Sequence, residues 1–576
     1  MKLDKNSILH IPLSNYAFGI DENTLDIRIR VRLDNVKKIY LNYGDTAYPS
    51  EKVVFTRVEM KKICSDLSFD YYENVIENTY HRVVYYFEIV DLENNVYYYY
   101  ADNFYKEISD NRNDLYKFPY LRREDVGIPP KWFRSARFYN IFPDSFKIKD
   151  STKYENKVLL EDGIEIKNKI GGTLNDVLNK LDYIKSLGFN GIYLNPIFKA
   201  GEYHKYDTID YFKVDPLLGS DEDLINLVNK AHSLNIKVVI DLVLNHSGWY
   251  FFAFDDVVKN QEKSKYVDWF YKINFPLYRP KTQNELPPYE CFGYERLMPK
   301  LNTDNDEVIE YFSKLLIYLI DKFKIDGFRL DTSDEVNDYF WISLNRLIKK
   351  KNKEIVLIGE IWQNPEHWLN SLMFDSAMNY CLRKNILDLF KYDLSSKEFN
   401  SLISKLLVRN KKNYLYSLLN FLSTHDTPRV ISLLNDDEDK FILAYSFIYT
   451  FMGAISILYG EEEPIRGIKE EDYRKAINFE KELRFASFFK KMNEIRENFD
   501  ALASGEYIAL KYDETSLYIY ERVNKTQKIL VILNLSSKKI DITDLNIFKD
   551  RVIYCHNFDN NILSRYGVII LNASND

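Results

Sequence analysis

The chain is expected to be an α/β protein, a (β/α)8 TIM barrel with a small inserted domain, preceded and followed by β-sandwiches. Three observations lead there. From Arg137 onward, short apolar runs alternate eight times with amphipathic helical segments, the rhythm of a closed parallel sheet wrapped by helices. On either side of that region, apolar and polar residues alternate with a period of two, as in strands with one wetted face. The connection after the third barrel run, from 246 to about 300, is too long for a single crossover helix. The resulting boundaries are 1–123 for the N-terminal sandwich, 124–497 for the barrel with its insertion at about 246–300, and 498–576 for the C-terminal sandwich.

Near the N-terminus, Leu25, Ile27, Ile29, Val31 and Leu33 alternate with Asp26, Arg28, Arg30 and Arg32, which predicts a strand with its charged side in water. Further strands are expected at 38–42, 82–91 and 95–101, separated by the turn signals Gly44-Asp45 and Glu93-Asn94-Asn95. Gly127-Ile128-Pro129-Pro130 reads as a linker. Barrel strands are expected at 138–142, 191–194, 238–242, 327–330, 355–358, 374–378, 418–422 and 455–459. Thr173 can cap a helix whose stripe is Leu174, Val177, Leu178, Leu181 and Ile184, ended by Gly188. A second helix carries Leu224, Leu227, Val228 and Ala231. The insertion shows no continuous helix and ends with Met298-Pro299-Lys300. Alternation returns at 507–510, 517–522 and 529–533.

At 576 residues the chain exceeds what one core can organise, and 46% hydrophobic with 28% charged residues excludes long disordered spans. A net charge of −8 and a pI near 5.7 argue against nucleic acid or an anionic membrane as the main partner. Residues 1–20 lack a basic stretch followed by an apolar run, so neither a signal peptide nor an anchor is expected. Cys64, Cys291, Cys381 and Cys555 have no metal-like spacing and read as free thiols in a reducing cytoplasm.

The chemistry concentrates at Asp326-Gly327-Phe328-Arg329-Leu330-Asp331. In a strand, Arg329 and Asp331 share a face, and the guanidinium is expected to keep Asp331 ionised as a nucleophile. An isolated R-x-D is usually a structural pair. Here Glu360 in Gly359-Glu360-Ile361-Trp362 and Asp426 in Ser423-Thr424-His425-Asp426 each close another apolar run, and three carboxylates at three strand ends point to sugar chemistry.

Set side by side, these stretches resemble the α-amylase superfamily of glycoside hydrolases. The run from Asp241 to Asn245-His246, the segments at Arg329/Asp331 and Glu360/Trp362, and His425-Asp426 match its four signature segments in order. The likeness extends to 138–146 and to His204-Lys205-Tyr206-Asp207-Thr208. Met298-Pro299-Lys300-Leu301-Asn302, with Glu335 four residues beyond Asp331, is similar to the cyclomaltodextrinase, neopullulanase and maltogenic amylase branch. The resemblance implies that Asp331 attacks the anomeric carbon, that Glu360 is the acid and then the base, and that Asp426 binds sugar hydroxyls. It places His246 and His425 on either side of the same sugar, Tyr206 beneath it with His204 nearby, and Phe292, Trp362, Tyr380 and Glu335 on the acceptor side. Asp241 and Asn245 are expected to be structural.

By the same resemblance, the activity is retaining hydrolysis of α-1,4-glucosidic bonds in cyclodextrins and short maltodextrins, with pullulan and starch as further substrates. The chain is expected to be cytoplasmic, to require no cofactor, and to form a homodimer in which residues 1–123 wall off the partner's site. An α-glucan transferase using the same intermediate is the alternative, and a non-catalytic carbohydrate-binding scaffold a third reading. Several positions depart from the branch. Lys147-Ile148-Lys149-Asp150 replaces an Asn-Gly-Asp run, and Thr173 stands where aspartate is common, which argues against calcium there. Asp334 stands where Asn is frequent, and Tyr473-Arg474-Lys475-Ala476-Ile477 lacks the usual Pro-Met.

Overall fold

The computed structural model describes residues 2–574 except 51, 78–80, 147–155 and 161–162. Lys147 to Asp150 therefore lie outside the described residues.

Eight parallel strands form the central ring: β1 (Arg137–Ile141), β2 (Gly191–Leu194), β3 (Lys237–Leu242), β4 (Gly327–Leu330), β5 (Val356–Gly359), β6 (Ser376–Ala377), β7 (Leu419–Asn420) and β8 (Ala454–Leu458). Neighbours follow chain order, β8 pairs with β1, and a parallel bridge between Met378 and Leu419 closes the ring. Every residue of β2, β4 and β5 is buried, because helices cover the outside while side chains fill the inside. This double burial is why the strands read as continuous apolar runs. The expected strands 374–378 and 418–422 shrink to two residues each, since they meet one another through that single bridge. Gly327 has a local reason: a Cβ there would lie 2.3 Å from Val356 Cγ1 and 2.7 Å from Val356 O, across the β4–β5 pair.

Helix Asp221–Ser233 buries the four anticipated residues beneath a capping box of Ser220 and Asp223. The helix expected after Thr173 is two, Leu174–Leu178 and Leu181–Ser186, capped by Thr173 with Asp176 and ended by Gly188 at φ +87°. The insertion corrects the sequence reading, since it contains a nine-residue helix, Phe252–Asn260, seated on Ala253, Phe254 and Val257. No side chain caps its start, and its aromatic run hid the stripe.

The N-terminal domain packs a four-stranded antiparallel sheet against a six-stranded one around a single apolar core. Its strand Thr24–Arg32 departs from expectation: Asp26 and Arg28 are 0% and 3% exposed. Their side of the strand faces the barrel, where Arg28 Nη1 donates to Asn410 O at 3.1 Å. The C-terminal strands form one six-stranded antiparallel sheet. Tyr518, Tyr520, Val531 and Leu533 extend the barrel core, while Leu517, Ile519, Ile532 and Ile569 build a separate cluster on the other side. No helix among the described residues is long and apolar enough to cross a membrane.

Candidate active site

Asp331 and Glu360 stand just beyond the C-terminal ends of adjacent strands β4 and β5, where a barrel presents its loops. Backbone bonds fix both: Asp331 N donates to Leu242 O at 2.9 Å, and Glu360 N to Leu330 O at 3.0 Å. One guanidinium serves the pair. Arg329 Nη1 donates to Asp331 Oδ1 at 2.8 Å, and its Nη2 forms an ion pair 2.7 Å from Glu360 Oε1, off the N–H direction of a true hydrogen bond. Nη1 also reaches both oxygens of Asp241, at 2.8 and 3.0 Å. Thr332 divides between the two acids, its Oγ1 donating to Asp331 Oδ2 and its N–H to Glu360 Oε2, both at 2.9 Å.

Arg329 thus faces three carboxylates, and this modifies the expectation that it alone would keep Asp331 ionised. Burial, and next the charge of Glu360, push Asp331 well above the usual carboxylate range against the pull of Arg329. Asp426 goes the other way. Burial would raise it, but His425, with Nε2 2.7 Å from Oδ2, and Arg474, with Nη2 3.0 Å from Oδ1, hold it well below the range. The three acids of the sequence reading therefore meet at one place, with Asp331 and Asp426 shifted in opposite directions.

The cleft above them has a volume of about 560 Å³ and is lined by His204, Tyr206, His246, Phe292, Trp362 and Glu335 as well as the three acids. His204 and His246 are both pushed down to about 3, mainly by burial, so the rings they present to the cleft are neutral. Phe292 stacks on His246 with ring centres 5.0 Å apart. Trp362 is 53% exposed at the rim, and Lys300 Nζ pairs with Glu335 at 2.7 Å.

Two expected contacts lie behind the wall. Tyr380 is buried and stacks under Trp362 at 4.2 Å, with its hydroxyl 3.4 Å from Glu360 Oε1, so it supports both and does not line the cleft. His425 is clamped between the rings of Phe142 and Tyr206, and its Nδ1 accepts from Asn195 Nδ2 at 2.8 Å; it positions Asp426 from within. Arg329 is also fully enclosed. Asp241 takes hydrogen bonds from Tyr193, Tyr206 and Asn195 besides Arg329, which gives it a structural role.

The sequence reading left Arg474, Glu470, Glu295, Met298, Thr332 and Asp334 out of the site, yet all line the cleft. Arg474 ties Asp426 to Glu470, 2.6 Å from its Nη1. Its position 48 residues after Asp426 carries no periodic signal. The altered segment from Tyr473 to Ile477 was the sole hint.

The site for calcium suggested by the family does not fit the residues described. Asp144 spends its carboxylate on the backbone N–H groups of Lys169, Ile170 and Gly171 at 3.0 to 3.2 Å, and Thr173 caps a helix. Among the described residues, no group of three or more His, Cys, Asp or Glu side chains could hold a metal ion.

Comparison with known proteins agrees with this geometry. Residues 140–506 match the α-amylase catalytic domain model, and residues 1–122 match the α-amylase N-terminal ig-like domain model. The chain is 35% identical over 547 residues to a cyclomaltodextrinase of Thermoanaerobacter pseudethanolicus, and 34% identical over 554 residues to a maltogenic α-amylase of Bacillus acidopullulyticus, covering 93% of both chains in each case. It is 31% identical to neopullulanase 2 of Thermoactinomyces vulgaris, over 92% of this chain and 91% of that one. A solved cyclomaltodextrinase structure superposes with a TM-score of 0.86 at 30% identity, covering 99% and 98% of the two chains. A catalytic-domain match spanning most of the chain, together with carboxylates gathered at the ends of β4 and β5, makes this protein a glycoside hydrolase of the α-amylase family.

Proposed function

We propose that the protein is a retaining hydrolase of α-1,4-glucosidic bonds in cyclodextrins and short maltodextrins, acting through a covalent glycosyl-enzyme on Asp331. The observation that carries this reading is the shared Arg329 guanidinium, which draws Asp331 and Glu360 together at the floor of the cleft. Retaining catalysis needs two carboxyl groups roughly 5–5.5 Å apart, one as nucleophile and one as acid. Asp331 attacks the anomeric carbon while Glu360 protonates the departing oxygen; Glu360 then takes a proton from water as the intermediate is hydrolysed. Asp426, kept anionic by His425 and Arg474, accepts hydrogen bonds from sugar hydroxyls and stabilises the oxocarbenium-like state. Tyr206 supplies an aromatic face below the sugar. Phe292, Trp362 and Glu335 receive the leaving portion, and relatives named cyclomaltodextrinase and neopullulanase support glucans of this kind.

A transferase differs in having a sugar hydroxyl resolve the same intermediate. The exposed Trp362 at the acceptor end gives such a hydroxyl a surface to rest on. Chromatography of products from β-cyclodextrin, pullulan and starch, offered in parallel at low and high sugar, decides both questions. Faster turnover of β-cyclodextrin with glucose and maltose as products is expected. Preference for starch refutes the compact-substrate reading, and products longer than the substrate assign a transferase.

The reading includes a cytoplasmic homodimer in which residues 1–123 narrow the partner's cleft. A relative from Bacillus subtilis, 29% identical over 98% of this chain, is named an intracellular maltogenic amylase. Sedimentation at micromolar concentration tests the dimer, and a monomer contradicts it.

A further inference from the structure

We propose that the groove at the opposite, N-terminal end of the barrel binds a phosphate monoester. The groove runs between linker residues 126–131 and the end of helix Asp338–Lys351, and encloses about 650 Å³. That volume suits a small ligand, for which pockets of roughly 300–1,000 Å³ are usual.

Charge is the first reason. The chain carries a net −8, yet Lys131 on one wall and Arg346, Lys350 and Lys353 on the other converge here. None of these four has an ion pair among the described residues, whereas their neighbours Lys349 and Lys351 pair with Asp375 and Asp321 at 2.6 and 2.7 Å. The acids Glu124 and Glu354 also border the groove, and Asp375 is taken by Lys349. The helix dipole accounts for lysines in a last turn, but its influence ends within that turn. Arg346 lies more than a turn before the helix end, and Lys353 lies beyond it. Arg346 and Lys350 are four residues apart on one face, a like-charge spacing that destabilises a helix unless an anion lies between.

The second reason is a buried donor with nothing to donate to. Tyr414 lines the groove, is 2% exposed, and its hydroxyl has no hydrogen-bond partner among the described residues. The hydroxyl presses against Gly127, where a Cβ would fall 1.3 Å from it. Leaving such a group unmade is costly, and a phosphate oxygen entering past Gly127 would complete it. The third reason concerns the rest of the ligand. Ile128 and Leu372 border the groove at 53% and 49% exposure, an apolar surface that bare phosphate would leave uncovered. A monoester with a sugar or nucleoside body satisfies cations, phenol and apolar floor together.

The test is calorimetry on the full-length protein at near-physiological salt, with glucose 6-phosphate, AMP and inorganic phosphate as separate probes. Saturable binding of at least one monoester, tighter than that of inorganic phosphate, is expected, and the tighter of the two identifies the body. The exposed pair R346A/K350A should weaken it by about tenfold or more while keeping the parent's melting temperature. Y414F should weaken it several-fold, with hydrolysis of maltodextrin unchanged. Absence of binding by both monoesters, binding retained in R346A/K350A, or inorganic phosphate binding equally well would each overturn the proposal.

Discussion

Two buried clusters in this molecule are built from the same parts. At the junction of the N-terminal domain with the barrel, Arg28 meets Asp26 two residues earlier at 3.1 Å and Glu73 at 3.0 Å. Below the cleft, Arg329 meets Asp331 two residues later, with Glu360 and Asp241 alongside. The difference is charge balance. The junction has a second cation, Lys412, which reaches Glu73 at 3.3 Å and Glu506 at 3.0 Å, and Asp26 is pushed well above its usual range by burial, with Arg28 opposing and Glu73 reinforcing. Two cations therefore face two anions and a carboxyl inclined to keep its proton. In the cleft, one guanidinium faces Asp241, Glu360 and an Asp331 that is likewise inclined to keep its proton, so even with that proton in place two further carboxyl groups share a single cation at the cleft floor. A balanced cluster holds domains together; on the proposed mechanism, an unbalanced one is completed by the positive charge that would develop on the sugar in the transition state.

The largest expected effect tests that excess charge. D331N should abolish turnover, losing well beyond the roughly 10²- to 10⁴-fold typical of proton-transfer assistance, with melting temperature unchanged or raised because crowding among three carboxyls is relieved. Activity within tenfold of the parent would sink the nucleophile assignment. A marked drop in melting temperature would make the cleft cluster structural, like its counterpart. E360Q comes next, with a loss of about 10²- to 10⁴-fold on maltodextrins and partial recovery on aryl glycosides whose leaving groups need less protonation. Uniform loss on both substrates argues against the acid role.

The converse experiment is R28M, which leaves buried carboxylates without their partner. Denaturant titration should show destabilisation of about 3–5 kcal/mol, with kcat per folded molecule preserved. The pH dependence follows from Glu73. Burial would raise it, but Arg28 and then Lys412 hold it at about 2, below the ordinary glutamate value of 4.5. Its stabilising contribution is complete above 4.5 and is lost as pH falls toward 2, so R28M should flatten stability across that window. A parent-like acid profile would remove the junction from the comparison.

A smaller effect concerns the acidic limb of kcat/KM. Asp331 is raised by burial and next by Glu360 and, if it is the nucleophile proposed above, must be ionised to attack, so activity should fall away at a pH above the ordinary aspartate value. In E360Q assayed on an aryl glycoside, loss of the neighbouring charge should move that limb downward. An unmoved limb would mean that the two acids are not coupled. The smallest expected effect is none: EDTA should leave melting temperature and activity unchanged, since Asp144 is already occupied by three backbone donors. A large drop would show a bound ion stabilising the native state.

What the sequence determined by itself follows from local physics. Double-sided burial makes barrel strands continuous apolar runs, so β2, β4 and β8 could be placed within a residue or so. Period-two alternation located Thr24–Arg32, and Thr173 and Ser220 announced helix starts through their side chains. Strand ends carrying Asp331, Glu360 and Asp426 were legible because chain order fixes which residues emerge at one end of a parallel ring. Tertiary structure alone decided the rest. The charged side of Thr24–Arg32 looked wetted, because alternation reports a chemical contrast and cannot distinguish water from the polar surface of another domain. Tyr380 and His425 lie beside the acids but behind the cleft wall, because a ring's depth depends on which neighbours stack against it. Arg474 entered the site from a distant loop, and the direction of the Asp331 shift depended on Glu360 and Asp241 converging on the same guanidinium. Electrostatic sums of that kind run over distances in space, which sequence spacing does not record.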